Sequence, residues 1–225
     1  MSTPRQDDMA QGFFDAHQRA TLEAAMARII PTDDTPGARE AGTIDFLDRY
    51  LTGTQHVYAK PDGSGFEELA GRRQQAWQQR IDTVRERYLA GVVALDEAAR
   101  AQGADSFVDL DEERQDAVLR QLESGLDDEQ EAELERSRVT LYGAPVEVAL
   151  QQTSAEVDLG FVPLLALHTR QGFYSDPIYG GNRDQVGWRT IGFPGPSSLA
   201  EVHTGRYSTL DHFADDRVHP GTQEG

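Results

Sequence analysis

Chemistry in this chain has to come from histidine, carboxylates or hydroxyls, because its 225 residues include no cysteine. Disulfides, thiolate metal sites and cysteine nucleophiles are excluded at once. Six histidines remain: His17, His56, His168, His203, His212 and His219. No two of them stand four apart as in HExxH, so a helix-borne zinc-protease site is absent. His203 and His212 fall in a polar tail, where a loosely held ligand makes a poor metal site. His168 is the best placed, closing an apolar run ahead of Asp176 and Asp184. A histidine with two carboxylates can bind a metal or do acid–base work. A free-standing metal-dependent enzyme using His168, Asp176 and Asp184 is therefore one reading. The plainer reading, which we favour, packs His168 on the loop that follows, with a hydrogen bond to a backbone carbonyl. No second catalytic group is marked by its spacing. Asp33 and Asp34 precede a Pro-Gly turn and read more simply as caps than as calcium ligands. Ser175 and Ser208 sit in no GxSxG elbow.

His168 opens the densest stretch of the chain, HTRQGFYSDPIYGGNRDQVGWRTIGFPG, ending at Gly195. Its glycines and prolines predict neither regular helix nor buried strand. Asp176-Pro177 and Gly180-Gly181-Asn182 read as successive tight turns, with Asn182 tolerating left-handed backbone angles. Pro194 fixes φ near the end of the stretch. Tyr174, Tyr179, Arg183, Trp188 and Phe193 supply the aromatic and arginine anchors that dominate protein interfaces. The stretch is expected to shape or make a protein contact, with no catalytic, cofactor-binding or metal-binding residue in it.

The elements around it read as helices. A first helix is predicted over 15–30, capped by Asp15 and ended by Pro31. A second covers 38–51 with Ile44, Leu47 and Leu51 on one face. A polar loop spans 53–65. A long helix then runs from about Phe66 to Arg100. Its stripe is Trp77, Ile81, Val84, Tyr88, Val92, Leu95 and Ala99, and its charged side, with Arg72, Arg73, Arg80, Asp82, Arg85, Glu86 and Arg87, is expected to face water. A fourth helix starts near Leu110, with Asp109 and Glu112 resembling a capping box, and ends at Gly125. Residues 127–137 read as an exposed helix or mobile linker, and 138–152 as a small hairpin or a helical turn. A last helix is expected over Val157–Gln171, with Pro163 marking a kink or a start. The fold class is mostly α: a flexible N-terminus over 1–12, one helical domain over 13–195, and a polar tail over 196–225 that is loosely ordered or draped on a partner.

Net charge is −18, from 39 acidic against 21 basic residues. Nucleic acid and anionic membrane surfaces are unlike partners for such a chain. No stretch reaches the roughly 18 apolar residues of a membrane span, and the N-terminus lacks a signal core. The chain reads as cytoplasmic, or as exported on a partner that carries the signal. No Gly-rich phosphate fingerprint follows a strand pattern, which argues against a nucleotide-binding α/β fold.

Two blocks carry a resemblance. IIPTDDTPGAREAGTIDFLDRYL (29–51) and HTRQGFYSDPIYGGNRDQVGWRTIGFPG (168–195) combine PGAxEAG with DPxYGGNxDxxGWxxIGFPG. YLAGVVALDEAAR (88–100) and FVDLDEERQDAVLRQL (107–122) extend it. The chain resembles the gluconate 2-dehydrogenase subunit 3 family, the small subunit of FAD-dependent sugar and sugar-acid dehydrogenases. The resemblance implies a small helical subunit that binds a flavoprotein of the glucose–methanol–choline type. FAD sits on that partner and no cofactor on this chain, and a cytochrome c subunit often completes the complex. It further implies a folding and export companion whose twin-arginine signal carries the partner across the membrane. Arg72-Arg73 lies inside a helix and is no such signal, and residues 127–160 look longer than the family's usual connection. A general chaperone or adaptor without a dedicated oxidoreductase is the remaining alternative.

Overall fold

The structure is a computed structural model that describes residues 12–124 and 156–207. It is mostly helical, and no strand occurs among the described residues. Helix α1 (Ala16–Ile29) starts where the sequence says it should. Asp15 accepts from the Gln18 N–H at 2.8 Å, and the Gln18 side chain accepts from the Asp15 N–H at 3.1 Å. This reciprocal cap satisfies two backbone donors that the first turn leaves free. Met26 O receives the N–H of Ile30, and Pro31 follows.

The expected single helix over 38–51 is two helices, α2 (Ala38–Ala41) and α3 (Thr43–Thr52). Gly42 between them takes φ 64 and ψ 39, the left-handed region that only glycine enters cheaply. The break lets Ala41 face Phe173 and Val186 while Ile44, Leu47 and Leu51 face the main core.

Helix α4 is Gly71–Ala101, five residues shorter at its start than the apolar pattern implied. Phe66 instead forms an isolated antiparallel bridge with Ala59, and Glu67 N–H donates to Tyr58 O at 2.8 Å. The stripe itself is in place: Ile81, Val84, Tyr88, Val92, Leu95 and Ala99 are buried. Helix α5 (Glu112–Ser124) is capped by Asp111, which accepts from the Arg114 N–H at 2.9 Å. Asp109 is not the cap. It ends a 3-10 turn over Phe107–Asp109 and accepts from Ser106. Arg28 of α1 ties α5 down through Asp116 at 2.7 Å and Glu112 at 2.6 Å.

Helix α6 runs Phe161–Tyr174, so both predicted ends move. Gly160 stands at its N-cap, and Pro163 sits in the first turn, where an absent N–H costs nothing. Pro163 therefore marks a start and no kink. The far end carries a larger correction. His168 to Tyr174, the opening of the Gly/aromatic stretch, are helical. Two short helices follow, α7 (Val186–Thr190) and α8 (Leu199–His203). The early tail is thus partly ordered: Tyr207 N–H donates to Glu201 O, and its ring meets Phe193 edge-on. The expectations for 127–137 and 138–152, for 1–11 and for the tail beyond Tyr207 lie outside the described residues.

One core unites α1, α3, α4, α5 and α6 around Leu22, Met26, Leu47, Tyr88, Leu95 and Leu164. Helix α6 threads this core and packs most extensively on α3. No described helix is long and apolar enough to cross a membrane.

Candidate functional site

Two arrangements draw the sequence-selected residues together, one inside the core and one at its C-terminal edge. Inside, His168 on α6 is 1% exposed. Its Nδ1 lies 2.7 Å from the Tyr88 hydroxyl and its Nε2 lies 2.8 Å from a Glu156 carboxylate oxygen. No backbone carbonyl holds it, contrary to expectation. An ionised carboxylate only accepts, so Nε2 carries a proton towards Glu156, and the Tyr88 hydroxyl occupies the other ring nitrogen. Glu156 gathers more than the histidine. Arg80 donates to it through Nε at 2.6 Å and through a terminal nitrogen, and the Tyr50 hydroxyl donates at 3.1 Å.

The electrostatics follow from burial and partners. Burial pushes the Glu156 carboxyl up, but the hydrogen bond and charge of His168, with those of Arg80, outweigh it and hold it below the usual carboxylate range. Burial drives the Tyr88 hydroxyl well above its ordinary value, and the Glu156 charge adds to that. The Tyr50 hydroxyl rises for the same two reasons. The cluster is a set of buried polar groups drawn from α3, α4, α6 and the helical residues 156–158. Such a set fixes one arrangement of the core more than it adds net stability.

The solvated face expected on α4 holds for Arg72, Arg73, Asp82 and Glu86, which are exposed, and fails for Arg80, Arg85 and Arg87. The Arg80 side chain is only 11% exposed. Arg85 donates to Leu51 O at 2.7 Å and Thr52 O at 2.9 Å, the unpaired carbonyls at the end of α3. Arg87 donates to Val157 O at 2.7 Å and to Leu159 O. These arginines clamp neighbouring backbone with their stems laid along the apolar stripe.

At the edge, the turns form as their residues dictate. Asp176 caps a 3-10 turn by accepting from the Ile178 N–H at 2.9 Å, with Pro177 at its first position and Gly180 closing it at φ 105. Asn182 takes φ 47 and is fully buried. Its amide donates to Ser175 O and its carbonyl accepts from the Gly187 N–H, both at 2.8 Å. Gly181 lies so close to Gly172 O that a side chain would collide with it. Asp184 and Gln185 follow at φ 53 and 58, a strained pair for residues with side chains.

The aromatic residues divide by role. Trp188 is buried, and its indole N–H donates to Tyr174 O at 2.7 Å. Phe193 meets the Trp188 ring edge-on at 5.4 Å, and Tyr179 meets Phe66 at 5.7 Å while its hydroxyl accepts from the Ala59 N–H. Tyr174 is 42% exposed, and Pro194 faces solvent. Arg183 pairs with Asp45 at 2.5 Å.

The set His168, Asp176 and Asp184 is not assembled. Both histidine nitrogens are engaged with Tyr88 and Glu156, and Asp176 serves as a cap. No group of three or more His, Asp or Glu residues converges for a metal among the described residues. Glu156 and Arg80 are the residues that sequence reasoning missed. A signal existed: Arg80 and Arg87 stand two turns apart along the edge of a buried stripe, where cations need a buried partner.

The family model described as Gluconate 2-dehydrogenase subunit 3 matches residues 16–195. No curated protein and no solved structure matches the chain.

Proposed function

We propose that this chain, which belongs to the gluconate 2-dehydrogenase subunit 3 family, is a non-catalytic small subunit. It binds, and helps fold, stabilise or export, an FAD-dependent sugar or sugar-acid dehydrogenase of the glucose–methanol–choline type. A cytochrome c subunit completes the complex in this reading, and the flavin stays on the catalytic partner. One observation carries the proposal. Asp176 and Asn182 are spent on the shape of their own turns, while Tyr174 just before them and Ile191 just after are left exposed. A segment that orders itself and exposes apolar surface is built to contact another protein. His168, the best catalytic candidate, is sealed in the core with both nitrogens occupied, so it has no route to a substrate.

Tyr179, Asn182, Trp188 and Phe193 then support the contact by fixing the loop. Co-expression with the flavoprotein encoded beside this chain should yield a stable heterodimer on size-exclusion chromatography. Trp188→Ala should weaken it, because the indole backs both Tyr174 and Phe193. A chain that co-purifies with no neighbouring flavoprotein would sink the proposal.

A further inference from the structure

The residues just ahead of α6 are fastened to the molecule more by charge than by apolar contact. Of residues 156–160, Glu156 is buried, Val157, Leu159 and Gly160 are half-buried, and Asp158 is exposed. Glu156 Oε1 accepts from His168 Nε2 at 2.8 Å and from the Tyr50 hydroxyl at 3.1 Å, and its Oε2 accepts from Arg80 Nε at 2.6 Å. Arg87, two turns along α4 from Arg80, donates to Val157 O at 2.7 Å and to Leu159 O. Leu159 packs on the rim of the main core.

The helix that follows is anchored differently. Gly160 O accepts from the Leu164 N–H at 3.0 Å and so begins α6. Leu164 and Leu165 are fully buried, and Phe161 lies so close to Gly91 of α4 that a side chain there would collide with its ring. Apolar contact thus holds α6, while the Glu156 carboxylate is the strongest hold on 156–160. The groups that meet this carboxylate are all donors: Arg80 from α4, Tyr50 from α3 and His168 from α6, with Tyr88 behind the histidine. A proton on Glu156 removes the charge on which they converge, and that is costly in a buried setting. Burial raises the carboxyl, but His168 and Arg80 hold it below the usual range, so the proton arrives only in acid.

We propose that Glu156 is an acid-released latch: protonating its carboxylate frees 156–160 from α4, with Gly160 as the pivot, while the helical body stays folded. Opening is local to one short segment and releases His168 Nε2 from its partner. The closed state binds the proton more weakly than the open one. Closure is therefore complete above an open-state pKa of about 4.3 and is lost as pH falls towards the lower closed value. Between those two values the open-to-closed ratio rises about tenfold per pH unit. The device does not depend on what the chain binds.

The chain has no cysteine, so Asp158→Cys, at an exposed position, carries a single trifluoromethyl tag without background. Fluorine NMR of the tagged full chain reads the closed and open populations from about pH 7 to about pH 3, and far-ultraviolet dichroism follows the helical body. One closed signal is expected at neutral pH. A second signal should grow about tenfold per pH unit below about pH 4.3, reversibly and with dichroism unchanged. Glu156→Gln in the tagged chain should show the second signal at neutral pH and hold it constant across the titration. A tag that keeps its closed signal throughout, with dichroism intact, overturns the latch. So does a tag that moves only as dichroism is lost, because Glu156 then serves global stability alone. A Glu156→Gln chain that is closed at neutral pH and still opens in acid assigns the trigger to another group and overturns it too. If Glu156→Gln fails to fold, the titration of the tagged chain with Glu156 intact decides between these outcomes.

Discussion

The buried cluster around Glu156 and the turns around Asn182 both fasten α6 and its sequel to the helical body, by opposite means. The cluster uses charge. Arg80, Glu156 and His168 satisfy one another from three separate elements, and each is costly alone. The turns use backbone geometry. Left-handed residues, a capped 3-10 turn and a close approach of Gly181 to Gly172 are set mostly by neighbours in sequence. The contrast teaches where cost falls when each is broken. A charge network fails as a unit, because each survivor loses a buried partner that several of them share. A turn fails locally.

Glu156→Ala should be the most damaging change, because it removes the carboxylate that Arg80, His168 and Tyr50 share. A loss of about 3–5 kcal/mol is expected in chemical denaturation. A loss under about 1 kcal/mol would show that the cluster is not a unit. Asn182→Ala removes two buried hydrogen bonds from the loop, and a loss of about 2 kcal/mol is expected. Trp188 fluorescence should report that change before far-ultraviolet dichroism does.

The pH dependence of stability comes next in size. The folded Glu156 carboxyl lies below its unfolded value, so its contribution is present above an unfolded pKa of about 4.3. It is lost as pH falls through the folded value. Wild-type stability should therefore fall more steeply below about pH 4 than that of Glu156→Gln. Parallel curves would contradict an ionised Glu156. The smallest effect is a gain. Gln185→Gly relieves a left-handed residue and should stabilise by up to about 1 kcal/mol. A measurable loss would mean that the Gln185 side chain does more than its long contact to Pro196 O indicates.

Much of the fold was legible because helices and turns announce themselves over short distances. Asp15 with Gln18, the stripe from Ile81 to Ala99, and Asp176-Pro177 all act within one or two turns of their own position. The errors arose where distant partners decide. Arg80, Arg85 and Arg87 are polar by type and looked solvated. Only the fold brings Glu156 and the ends of α3 against them. Tyr174 and Trp188 were both selected as contact residues, yet one is exposed and the other buried, a difference that α7 imposes and composition does not record. The break at Gly42 was equally hidden, because a helix pattern continues across it on both sides.

Asp45 has a consequence for the order in which this molecule is made. Its carboxylate is shared by Arg19, 26 positions away, and by Arg183, 138 positions away. The first partner leaves the ribosome beside it, and the second emerges only after nearly all of the domain has been synthesised. Helices α1 to α5 must therefore wait with their main groove open until α6 arrives, since Leu164 and Leu165 complete their core. Contacts of such separation slow folding and prolong exposure of unfinished apolar surface. A ribosome-bound chain stalled before residue 161 should thus be protease-sensitive throughout, and one released past Gly195 should close as a whole.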